Sequence, residues 1–174
     1  MSTLTASKDE RNTSFQILDS VALVAYIIDR SKSLGVKGLN PTKIQKLTYC
    51  CYGMVLAYNG LRLCDENPEA WQYGPVFPST LRLMQRLGGV DDFAMAIPAP
   101  KQNQFPKDVA ELIDQTLITF GKFTATQLSM WSHRSGSPWD VASIGGKVYF
   151  EQIKDTLITD YFKRYVVRHE PLPV

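Results

Sequence analysis

Histidine and cysteine are scarce in this chain: 174 residues carry two histidines, His133 and His169, and three cysteines, Cys50, Cys51 and Cys64. Two histidines cannot build a three-ligand zinc centre and no HExxH run is present, while the thiols match neither a disulfide framework nor a zinc-ligand spacing. There is no phosphate-cradling GxxxxGKS/T and no GxGxxG following a strand. No apolar run approaches the roughly 18 residues that would span a bilayer, and the opening MSTLTASKDERNTS lacks the apolar centre of a secretion signal. A formal charge of +2 is too small to argue a polyanionic partner by itself. Internal repeats, low-complexity tracts and shifts of composition are absent as well. A cytoplasmic, reduced protein is therefore expected, with no membrane segment, no metal and no cofactor.

What the chain does contain is the balance of a folded domain, 44% hydrophobic and 21% charged residues, at a length that suits one. Its organising stretch runs from Asn40 to Pro78. Asn40 can accept a bond from an unpaired amide at the start of a helix, and Pro41 fits the first helical position, where its missing N–H is no loss. Gly60, after Asn59, supplies a left-handed stop. Between them Ile44, Leu47, Cys51, Met54 and Tyr58 share one face, and from Leu47 onward the opposite face is apolar or small too, with Tyr49, Tyr52, Gly53, Leu56 and Ala57. Such a helix must be wrapped by other elements, so it is expected at the centre. After a polar break, Trp71-Gln72-Tyr73-Gly74-Pro75-Val76-Phe77-Pro78 forces a turn and extended backbone.

Around that centre, capping and periodicity predict a helix from Asp19 or Ser20 to Ser33, another from Pro78 to Leu87, and a third between Pro106 and Gly121. A capping box, Thr124 with Gln127, opens a short helix; Ser137-Pro138 opens a turn or short helix; Asp155 is expected to cap the last one. Arg62–Cys64 and Glu69–Gln72 are expected to pair as a hairpin leaning on the central helix. Residues 90–105, with Pro98 and Pro100, read as an exposed crossover, and 147–153 as extended or irregular. Residues 1–13 are expected as a flexible polar tail, 14–168 as one domain, and 169–174 as a frayed end. The fold class is mainly α (α+β): a compact single domain of about five or six helices around a central helix, with a small β-hairpin.

No catalytic set rises above background. Pairing Cys64 with His133 has nothing in the spacing to recommend it, and a buried structural cysteine is the commoner case. The protein is not expected to be an enzyme. His133, near the end of its short helix, suits either a C-terminal cap, where the helix dipole favours positive charge, or a grip on a partner. Trp71, Tyr73, Trp131 and Trp139 lie beside Gly, Pro or Ser breaks, as core plugs or as interface anchors. Tyr49, Tyr73 and the Gly74-Pro75 turn are candidates for an interface. Lys32, Lys37, Lys43 and Lys46 form either a solvated basic rim or a patch for an acidic partner or nucleic acid.

The run KIQKLTYCCYGMVLAYNG followed by EAWQYGPVFPSTLRLM resembles the hallmark of the Panacea domain, found in SocA-like antitoxins and GepA-like phage-associated proteins. Lys46, Leu47, Tyr49, Ala70, Trp71, Tyr73, Gly74, Pro75, Val76 and Pro78 occupy the places of that pattern. Further on, Gly121-Lys122-Phe123, Leu128, His133 and Pro138-Trp139 are similar to its later part, and Ile153 through Phe162 to its close. The resemblance implies an antitoxin that neutralises a genetically linked toxin by direct binding, with an ATP-dependent protease as a further partner where the antitoxin acts as an adaptor. It places the partner-binding residues at Lys46, Tyr49, Trp71, Tyr73, Gly74, Pro75, His133 and Trp139. The rival expectation is a nucleic-acid-binding regulator of a phage or mobile element, working through the lysine rim and losing affinity steeply with salt.

Overall fold

The computed structural model describes residues 15–172; the tail expected over 1–13 and the last two residues of the expected frayed end lie outside the described residues. Helix α1, Ser20–Ser33, starts where Asp19 accepts from the amides of Val21 and Ala22. Helix α2, Pro41–Asn59, starts at Asn40, whose side chain accepts from Lys43 N at 2.8 Å, and stops at Gly60 with φ 63°. Both ends of α2 thus follow the expected cap and left-handed stop. As its two apolar faces require, α2 is central: α1, α3, α5 (Lys107–Phe120), α6 (Ala125–Ser132) and α8 (Asp155–Tyr161) all pack on it, α3 being Pro78–Leu87. Gly53 sits mid-helix because a Cβ there would stand 2.5 Å from the Phe162 ring; the missing side chain admits the π-helical turn Phe162–Val167 that continues α8.

Two apolar clusters result. The larger joins Leu47, Tyr52 and Val55 of α2 to Val109, Ile113 and Leu117 of α5 and to Phe162. The smaller joins Val24 and Ile28 of α1 and Ile44 of α2 to Met84, Val90 and Phe93. That second cluster corrects the crossover expected over 90–105. Val90–Ala96 forms helix α4, with Asp91 and Asp92 in its first turn, and Gln102–Gln104 makes a 3-10 turn. Among the described residues there are eight α-helices, more than the five or six expected, counting the five-residue α7, Pro138–Ala142.

The hairpin exists, with a different partner. Strand β1, Glu69–Trp71, pairs antiparallel with β2, Gly74–Val76, in the register Glu69↔Val76, Ala70↔Pro75 and Trp71↔Gly74, so Gln72 and Tyr73 form the turn. Its other edge takes β3, Glu151–Gln152, in a sheet of order β2-β1-β3. Cys64, expected to pair with this segment, instead forms a parallel bridge with Leu18. Asp155 is not a cap either: no side chain caps α8. Its carboxylate accepts from Tyr52 Oη and from Arg62, each at 2.6 Å, tying α2 and the 62–67 loop to the last helix. Among the described residues, no helix is long and apolar enough to cross a membrane.

Candidate functional site

The turn between β1 and β2 is held by its backbone oxygens. Trp139 Nε1 donates to Trp71 O at 2.7 Å, and His133 Nε2 lies 2.9 Å from Gln72 O. Ser129 Oγ donates to Tyr73 O at 2.7 Å, and Lys46 Nζ donates to Pro75 O at 2.9 Å. Residues from α2, α6, α7 and the end of α6 thus converge on one short segment. Local sequence explains how each is placed. The capping box of Thr124 and Gln127 sets the start of α6, and Ser137, accepting from Asp140 N at 3.1 Å, starts α7 with Trp139 in its first turn. His133 ends α6 with its Nδ1 facing Ser129 O and its Nε2 facing Gln72 O, so the ring lies between the helix end, where the cap was expected, and the turn. Its ring also lies 3.9 Å, centroid to centroid, from that of Trp139.

Glycine is required at position 74. Its φ is +112°, and a Cβ would stand 2.5 Å from both Lys46 Cε and Ser132 Oγ. Lys46 is 1% exposed, and burial pushes its ammonium down to about 7. Gln45, its neighbour and also buried, accepts from Phe77 N and donates to Thr80 Oγ1, both at 2.8 Å, which fixes the exit of the segment into α3.

The residues expected to contact a partner therefore divide. Gly74, Pro75 and Trp139 are buried, and so are Lys46 and Tyr49, the last at 2% exposure and edge-to-face with Phe162. Lys46 and Trp139 shape the turn; Tyr49, expected at the interface, belongs instead to the core and does not reach the surface. His133 is partly buried and points its ring nitrogens at carbonyls. What faces outward is Tyr73, 68% exposed at the tip, together with one side of Trp71. The Trp71 ring meets Phe150 edge-on at 5.1 Å, carries the Arg82 guanidinium 5.5 Å from its centroid, and donates from Nε1 to Glu69 at 2.8 Å. Phe150 is 65% exposed, with φ +67°, and its amide donates to Ala70 O; Val148 and Tyr149 beside it are exposed as well. The sequence reading missed this second half of the surface. Its signal was the adjacent Val148-Tyr149-Phe150 after Gly145-Gly146, three large apolar side chains where no helix could hide them all.

The lysine rim is also corrected. Lys43 and Lys46 are buried, Lys43 giving its Nζ to Lys37 O at 2.6 Å and Gly121 O at 2.8 Å, and Lys32 pairs with Asp91 at 3.0 Å. A continuous row of free cations is not formed. Cys64 Sγ donates to Glu66 O while His133 is bound to the turn, so the two groups of the formal dyad are engaged separately.

The family described as "Antitoxin SocA-like, Panacea domain" matches residues 44–140, which run from α2 through α7 and include all four side chains that hold the turn. The Antitoxin SocA of Caulobacter vibrioides (strain NA1000 / CB15N) is 30% identical over 162 residues, covering 85% of this chain and 84% of that protein. No solved structure matches the chain.

Proposed function

This chain belongs to the SocA-like Panacea family of antitoxins, and from that premise we propose that it neutralises a genetically linked protein toxin by direct binding through the surface built on the Trp71–Pro75 turn. The observation that carries this reading is the contrast within the turn itself. Four of its carbonyls are bonded by side chains from other elements, while the large Tyr73 side chain is left in solvent. An exposed aromatic ring on a fixed backbone loses little conformational freedom on association, which is the economy of an interface anchor. Trp71, Tyr149 and Phe150 extend the apolar area around it.

Co-expression with the neighbouring gene product tests the reading. Growth should be rescued and a complex should elute on size exclusion; Tyr73→Ala and Phe150→Ala should abolish both while the antitoxin stays folded. Absence of a complex with the wild-type protein would end it. Masking and delivery to an ATP-dependent protease separate on one observable: only delivery makes the toxin's half-life depend on both this protein and the protease.

A further inference from the structure

Helix α6 has two working faces. Ser129, Ser132 and His133 lie on the side that meets the turn; Gln127, Met130, Trp131 and Arg134 lie, by helical spacing, on the opposite side. That second side borders an open groove of about 580 Å³, floored by Phe120, Phe123 and Trp131. Phe123 is shared with a neighbouring groove of about 630 Å³, between the α1–α2 connection and the α5–α6 turn, where Val36, Lys37, Ile118 and Lys122 also contribute. The α1–α2 connection packs closely on the end of α5 because position 121 is glycine: a Cβ there would stand 2.8 Å from a Val36 methyl and 2.3 Å from Leu117 O.

Charge in the joined groove has one sign. Lys37 and Lys122 line the groove beside the α1–α2 connection and Arg134 lines the one beside α6, all exposed. Lys43 adds a buried ammonium whose bonds go to two carbonyls, with no carboxylate against it. Among the described residues no Asp or Glu lines either groove, and Lys37, Lys122 and Arg134 enter no ion pair, whereas Arg30, Lys32, Arg62 and Arg164 are all paired. Between the cations the floor is apolar and open to solvent: Ile118, Phe123 and Met130 are all exposed.

We propose that this joined groove docks an acidic linear segment of a partner protein, one in which carboxylates alternate with bulky apolar side chains. Carboxylates complement the unpaired cations, and apolar side chains cover the exposed floor between them. A nucleic acid would need cations in a row matched to its phosphates, and here they are separated by an apolar floor. The inference does not depend on the turn surface, from which the groove is divided by the body of α6.

Fluorescence anisotropy on the full chain tests it, with labelled synthetic peptides alternating Asp or Glu with Leu and Phe. Matched controls replace the acids by Lys, or the Leu and Phe by Ser, and a single-stranded oligonucleotide serves as the rival polyanion. Only the acidic apolar peptide should bind, more weakly as salt rises. The double variant K37E/K122E, at exposed positions and with unchanged melting, should weaken binding by about tenfold or more. Phe123→Ala should weaken it too, and Tyr73→Ala should leave it intact. Equal binding of the Lys or Ser controls, preference for the oligonucleotide, indifference to the charge reversals, or loss with Tyr73→Ala would each overturn the proposal.

Discussion

Replacing Lys46 by Met should change how the stability of this protein depends on pH. The ammonium lies 1% exposed beneath Gly74 and Pro75, its bond goes to the Pro75 carbonyl, and no salt bridge holds it among the described residues. Burial lowers its pKa from 10.5 to about 7. Across that interval the unfolded chain binds a proton that the folded chain does not, so the contribution to stability is complete above 10.5 and lost as the pH falls through about 7. The full difference corresponds to about 5 kcal/mol at ~1.4 kcal/mol per pH unit. Working between about pH 6 and about pH 9 captures roughly half of it. The upper limit matters, because burial raises the thiol pKa of Cys50 above its ordinary 9.0, and that contribution has the opposite sign: present at lower pH, lost as the pH rises. Urea unfolding of the wild type and Lys46→Met in parallel isolates the lysine. The variant leaves Pro75 O without its donor, a constant cost of about 1–3 kcal/mol that offsets the two curves without tilting either. The wild type should gain about 2–3 kcal/mol on the variant over the interval. Parallel curves would show that Lys46 is hydrated or paired, and would refute the buried-ammonium account of the turn.

The other expectations concern separate parts of the design. Tyr73→Ala should leave the melting temperature unchanged and remove toxin binding, measured by calorimetry; a lower melting temperature would mean the ring is structural. Trp139→Phe keeps most of the packing and removes the Nε1–H that serves Trp71 O, so it should cost about 1–3 kcal/mol in urea unfolding. Gly53→Ala should destabilise by about 1–3 kcal/mol, since the added methyl meets the Phe162 ring at 2.5 Å, even though alanine gains about 1 kcal/mol of helix propensity. A stabilised Gly53→Ala would show that Phe162 can step aside.

Elements with strong local punctuation were legible before any coordinates. The Asn40-Pro41 start and Gly60 stop of α2, the Thr124–Gln127 box and the Pro78 start of α3 are local hydrogen-bond and dihedral decisions. Helix α4 was not, because it is seven residues long, lacks a side-chain cap and is held chiefly by Val90 and Phe93 packing on α1 and α3. Strand pairing was misread for a similar reason. β1 pairs with Gly74–Val76 rather than Arg62–Cys64, and the turn that joins them is held by Trp139, His133, Ser129 and Lys46 from elements distant in sequence. Residue types alone likewise could not separate Tyr49, which lies in the core, from Tyr73, which lies in solvent.

Hydrogen–deuterium exchange on the protein, free and mixed with the product of the neighbouring gene, tests the central claim most directly. The account predicts a complex in which amides around Trp71–Pro75 and Val148–Phe150 become protected. A complex that leaves both segments exchanging as in the free protein would contradict it.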